Sequence, residues 1–83
     1  MIYELRELYH NASGTRVSSG TSKLRYYRTR KGLEKWWPLT RDAVKNTNRI
    51  CAGEATVYGC EVTLNGKVVA SYKPWAGIDT GLI

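Results

Sequence analysis

The stretch "ATVYGCEVTLNGKVVASYK", residues 55–73, decides what kind of fold this chain can build. Two runs rich in β-branched and aromatic residues flank Asn65-Gly66, a pair suited to tight hairpins because both residues tolerate positive φ. A two-residue turn there would pair Val62 with Val69 and put Leu64, Lys67 and Lys73 on the face of Tyr58 and Cys60. A three-residue loop over Leu64-Asn65-Gly66, with Gly66 in the left-handed bulge position, pairs Val62 with Val68 instead. One face then reads Tyr58, Cys60, Val62, Val68, Ala70, Tyr72, and the other Gly59, Glu61, Thr63, Lys67, Ser71, Lys73, with Val57 and Val69 as its only apolar members. This cleaner separation favours the three-residue register and gives the hairpin one apolar face in need of a cover.

The cover lies just upstream. Over residues 40–51 the apolar positions Ala43, Val44, Thr47, Ile50 and Cys51 recur at helical spacing. Pro38 sets the start, Thr40 is the N-cap, and Gly53 stands where a left-handed residue ends a helix. Arg41, Lys45 and Arg49 fall at four-residue steps, so they form a row on the opposite side.

A helix on a two-stranded hairpin is not stable alone, so further strands are required. "MIYELRELYH" supplies one, with Tyr3, Leu5 and Tyr9 along a face interrupted by Glu7; Ile2, Leu5, Leu8 and Tyr9 would also suit a helix. "LRYYRTR" supplies another, and a short strand over 33–37 is a further option. Between them, residues 11–21 ("NASGTRVSSGT") have the composition of a flexible loop. The expected fold is α+β, an antiparallel sheet of four to five strands with one helix packed on a face. It forms a single domain over residues 1–83, complete as a gene product, with an extended C-terminal tail at 74–83 folding back onto the core.

The net charge of +6 is unevenly spread. Residues 23–49 hold nine basic and two acidic side chains, a balance of +7, and the remainder holds four basic and five acidic, a balance of −1. A segregated excess of this kind is an electrostatic footprint for a polyanion or an acidic protein surface. Read as a strand, 23–31 places Lys23, Arg25, Tyr27, Thr29 and Lys31 on the solvent face and Leu24, Tyr26, Arg28 and Arg30 on the other. Tyr27 would then offer a stacking ring between cations, although β-propensity accounts for Tyr and Thr in a strand equally well. Adjacent Trp36 and Trp37 face opposite ways in an extended segment, so one belongs inside and the other, beside Lys35, is a candidate anchor. The candidate binding set is therefore Arg25, Tyr27, Arg28, Arg30, Lys31, Lys35, Trp36, Arg41, Lys45 and Arg49.

Other chemistry finds little footing. Cys51, Cys60 and the single His10 do not make a metal-ligand set, and both cysteines read as buried thiols, with a disulfide between them as the lesser alternative. "GTRVSSGTSK" lacks the Gly-Lys-Ser/Thr ending of a phosphate loop, and no base, nucleophile and charge stabiliser converge. No catalysis, cofactor or metal is expected. The charged N-terminus carries no export signal or membrane anchor, which points to the cytoplasm.

Leu39 to Trp75 also resembles the helix-plus-hairpin half of small phage-encoded anti-CRISPR proteins, the basic β-α-β-β inhibitors of type I complexes. The shared elements are Leu39-Thr40 opening the helix, an Ala and a basic residue within it, and a Cys near its end. Thr56-Val57 starting the hairpin, Asn65-Gly66 at its turn, and Ala70 and Tyr72-Lys73 leaving it complete the set. The longer N-terminal half with "YYRTRKGLEKWW" has no counterpart in that pattern. The resemblance implies stoichiometric binding to an RNA-guided surveillance complex, protein and guide RNA together, so that target DNA cannot pair with the guide. The competing expectation is a small basic nucleic-acid-binding protein such as a phage regulator, and a basic inhibitor could also hold DNA non-specifically. A structural protein of a virion is a third.

Overall fold

A computed structural model describes residues 1–82 as an α+β fold: one five-stranded antiparallel sheet with a single long helix on one face. The elements are β1 (Tyr3–Ser13), β2 (Arg16–Tyr27), α1 (Arg30–Ile50), β3 (Thr56–Leu64), β4 (Lys67–Lys73), a 3-10 turn (Pro74–Ala76) and β5 (Ile78–Thr80). The sheet order is β2-β1-β3-β4-β5, so the N-terminal and C-terminal hairpins meet through β1 and β3.

Residues 11–21 do not form the expected loop. Most of them extend β1 and β2, which turn tightly at Gly14-Thr15 with Ser13 opposite Arg16. Gly14 has φ 59°, a conformation glycine reaches without a Cβ penalty at the first position of a hairpin turn. The β1–β2 ladder itself, with Asn11 opposite Ser18 and Ala12 opposite Val17, holds this Ser/Gly-rich segment extended, while pairing of β1 to β3 runs from Tyr3 opposite Leu64 only as far as Asn11 opposite Thr56. The strand reading of residues 2–10 is the one realised, with Tyr3 and Leu5 in the core.

The helix is longer than the sequence spacing suggested. It starts at Arg30, capped by Thr29, whose hydroxyl accepts the Gly32 N–H at 3.1 Å. The strand expected over 23–31 therefore ends at Tyr27, and 33–37 is helical. Pro38 lies inside the helix, although it lacks an N–H for the Glu34 carbonyl. The inward stripe Leu33, Trp37 and Val44 explains why the helix continues: burying Leu33 and Trp37 on the turn before the proline outweighs the lost bond.

The β3–β4 turn is the two-residue kind, with Leu64 opposite Lys67 and φ of 53° at Asn65 and 79° at Gly66, and not the three-residue loop expected. A bulge after Val62 then inserts one residue into β4, so Val62 faces Ala70 and Cys60 faces Tyr72. The bulge restores the apolar face that a plain two-residue register would scramble. Val68 alone of the expected face is left outside, opposite Thr63.

The core is Tyr3, Leu5, Leu33, Trp37, Val44, Cys60, Val62 and Ala70, with Tyr27, Tyr58, Tyr72 and Leu82 packed against it. Both cysteines are free: Cys60 is buried and Cys51 is half-buried at the helix C-cap. The tail folds back through the 3-10 turn and β5 onto β4; its last residue, Ile83, lies outside the described residues. Among the described residues no helix is long and apolar enough to cross a membrane.

Candidate binding groove

The register of β1 and β2 decides which cations meet the helix. Arg25 is opposite Leu5 and Lys23 opposite Glu7, so both lie on the side of the sheet where Leu5 is buried at 2% exposure. The faces are thus the reverse of those expected for Leu24 and Tyr27. Tyr27 shares the helix side and packs against the core, while Leu24 and Tyr26 are exposed on the uncovered face of the sheet.

On α1, successive residues are rotated by about 100°. Trp37 is buried, and Trp36, one step round, lies on the flank nearest β2 with Leu39. Between this flank and β2 runs a groove of about 210 Å³, floored by Leu5 and Glu7 and walled by Lys23 and Arg25 on one side and Trp36 and Leu39 on the other. Trp36 is 41% exposed and Leu39 53%. The Lys35 ammonium stands 5.3 Å from the centre of the Trp36 ring, a cation–π distance that holds the indole beside positive charge.

The cations of the candidate set divide into two groups. Arg41 and Lys45 turn to the opposite flank of α1, where both meet Asp79 of β5, at 3.6 and 3.0 Å. The Lys45 ammonium also lies 5.1 Å from the centre of the Tyr72 ring. Arg30 pairs with Glu34 one turn on, at 3.1 Å. The helix row and the strand cations therefore do not merge into one ridge, and part of the row clamps the sheet edge at β5. Among the described residues Lys23, Arg25, Arg28, Lys31, Lys35 and Arg49 form no ion pair, and Arg49 donates to Asn46 at 2.6 Å.

The first turn of α1 adds to this asymmetry. It carries Arg30 and Lys31 and no acid, the reverse of what the positive end of a helix favours. Their placement does not serve helix stability. In the sequence it continues the run of cations from Lys23, Arg25 and Arg28 to Lys35.

Lys23, Leu39 and Asp79 are the residues of this region that the candidate set omits. Leu39 would have been found by carrying the helical spacing back from Val44 through Trp37 to Leu33, which places Leu39 on an outer flank. Asp79 has no local signal, because its partners are more than thirty residues away and meet it only through the β4–β5 pairing.

On the uncovered face His10 stacks on Trp75, with ring centres 5.2 Å apart and planes 11° from parallel, and its Nδ1 is 2.7 Å from the Ser19 hydroxyl. Among the described residues no three histidine, cysteine or acidic side chains gather as a metal site. No family model, curated protein or solved structure matches the chain.

Proposed function

We propose that this is a non-enzymatic binding protein from a phage or mobile element, one that occupies a CRISPR RNA-guided surveillance complex in the bacterial cytoplasm and blocks recognition of target DNA. The observation that carries the reading is the groove itself. Lys23 and Arg25, without an ion-pair partner, share it with the exposed Trp36 and Leu39. Aromatic anchors ringed by unspent charge are what protein interfaces use for affinity and orientation. The resemblance of Leu39 to Trp75 to anti-CRISPR inhibitors supplies the partner class.

The experiment is co-purification of the tagged protein with type I effector complexes, alongside phage-plating assays of interference in cells. Capture of an effector with loss of interference is the expected result. No capture by any type I effector and undiminished interference would remove the reading.

The basic stretch from Arg28 to Lys35 favours a second reading, direct binding of nucleic acid. Affinity for generic DNA would then fall steeply with salt, with a log–log slope near 0.9 per neutralised phosphate. Tight DNA binding without a protein partner would promote this reading over the first.

A further inference from the structure

We propose that β2 is a docking edge that accepts an extended acidic segment of the partner protein as a sixth strand of the sheet. The inference rests on the protein-binding function above and deepens it, naming the mode of recognition.

β2 is one border of the sheet, so its outer backbone groups face away from β1. It is twelve residues long, whereas the opposite border, β5, has three. Long open borders invite pairing, and proteins usually keep them short, bent or covered. The single bulge in β2, at Ser22, lies within an otherwise continuous ladder to β1 and leaves the strand long.

The two sides of an added strand would meet different surfaces. On the helix side lie Lys23 and Arg25 under the overhanging Trp36 and Leu39. On the other side lie Leu24 and the 60% exposed Tyr26. Side chains alternate along a strand, so the matching segment alternates acidic and apolar residues. Its carboxylates would face Lys23 and Arg25, and its apolar side chains would lie on Leu24 and Tyr26.

Charge also decides against a second copy as the occupant. The cations of β2 are Arg16, Lys23 and Arg25, and the strand has no acid. Antiparallel pairing of two β2 strands about Leu24, the register that would bury Leu24 and Tyr26 together, sets Lys23 of one copy against Arg25 of the other, which disfavours it. An acidic partner strand converts the same charges into cross-strand attraction.

The test uses the intact protein, isotope-labelled, and a short capped peptide of alternating glutamate and valine. Two relatives of the peptide are methylated on the glutamate amides or on the valine amides. Because one edge of a strand presents only one of these two sets, a strand-pairing peptide loses binding in one relative and keeps it in the other. The expected result is perturbation and slowed exchange of β2 amides, abolished by one methylation pattern alone. Lys23→Glu and Arg25→Glu should each weaken the peptide by about tenfold.

Equal binding by all three peptides, or shifts that spare β2, would overturn the proposal. So would binding of a short oligothymidylate with the peptide inert, which would mark the surface as a nucleic-acid site. The two failures are separable: effector capture with an unresponsive β2 removes the docking mode and keeps the function, whereas peptide pairing without capture does the opposite.

Discussion

Asn48 of α1 closes both backbone bonds of Tyr58 in β3: its amide nitrogen donates to the Tyr58 carbonyl and its carbonyl oxygen accepts the Tyr58 N–H, each at 2.8 Å. Tyr58 lies beyond the reach of β4, whose ladder with β3 runs only as far as Cys60 opposite Tyr72. The side chain thus stands in for a missing strand and ties the end of the helix to the sheet. Asn48→Ala would leave a half-buried donor and acceptor unpaired, at a cost of about 2 kcal/mol. Asn48→Asp keeps the acceptor and loses the donor, so urea denaturation should place it between the two. Equal stability of all three proteins would show that water replaces the amide without loss.

Trp75 makes a second such demand, on Gly59. A Cβ at Gly59 would stand 2.5 Å from the Tyr72 carbonyl oxygen and 2.8 Å from the indole of Trp75. The first contact is backbone, which cannot step aside. Gly59→Ala should therefore cost about 1–3 kcal/mol and loosen the His10–Trp75 stack. Thermal unfolding measures the cost and near-ultraviolet circular dichroism reports the indole; an unchanged midpoint would mean that β3 and β4 separate more easily than their packing implies.

Burial pushes the Cys60 thiol up from 9.0 to about 12, with the Glu7 carboxylate adding to the rise. A thiol reagent at pH 8 should accordingly modify Cys51 and spare Cys60 until the protein unfolds. Between pH 9 and 12 the unfolded chain releases the Cys60 proton and the folded chain keeps it. The unfolded state then binds fewer protons, so stability falls as pH rises, by up to about 1.4 kcal/mol per pH unit. Cys60→Ala lacks this contribution, and its stability deficit relative to the natural protein should narrow across that window. A constant deficit would show that the thiol ionises in place without strain.

Pro38 offers the opposite kind of substitution. It occupies the interior of α1 and is exposed, so no packing depends on its ring. Pro38→Ala restores an intrahelical bond and should stabilise the protein, by at most about 3 kcal/mol, less what the freer unfolded chain gains. Loss of stability would mean that the ring sets a bend the core requires.

Pro38 is also where the sequence misleads about the fold. Proline commonly marks a helix start, and together with the β-rich "LRYYRTR" it argues for a strand where Leu33 and Trp37 in fact form the buried first half of a helix. The sheet-plus-helix architecture, the inward face of β3 and the burial of Cys60 were legible through alternation; helical spacing marked a helix but not its inward side, since of Ala43, Val44, Thr47, Ile50 and Cys51 only Val44 is buried and Ile50 is 73% exposed. The bulge after Val62 was not, since it reconciles a local turn preference with a distant packing demand. Nor was the full length of the β1–β2 ladder, which extends a segment whose composition alone reads as loop. Of the candidate site, the positive excess was legible and its division was not. Arg41 and Lys45 are set apart from Lys23 and Arg25 by their ion pairs to Asp79, a tertiary fact.

That division yields a direct discrimination between structural and functional charge. Lys45→Glu would set a carboxylate where an ammonium now lies 3.0 Å from Asp79 and would remove the cation over Tyr72. An exposed pair contributes little, but reversal adds repulsion to the lost attraction, so a destabilisation of about 1 kcal/mol and fraying of β5 are expected. Partner binding should be untouched, because Lys45 lies on the flank away from the groove. Lys23→Glu and Arg25→Glu should behave in the converse way, each changing stability by no more than about 0.5 kcal/mol while weakening partner capture. Unfolding curves and capture of the effector complex on the same three variants measure both quantities. Loss of capture in Lys45→Glu equal to that in the groove variants would mean that total charge, and not the groove, drives binding; full capture by Lys23→Glu and Arg25→Glu would move the functional surface elsewhere on the molecule, with the uncovered face around Trp75 and His10 as the next place to test.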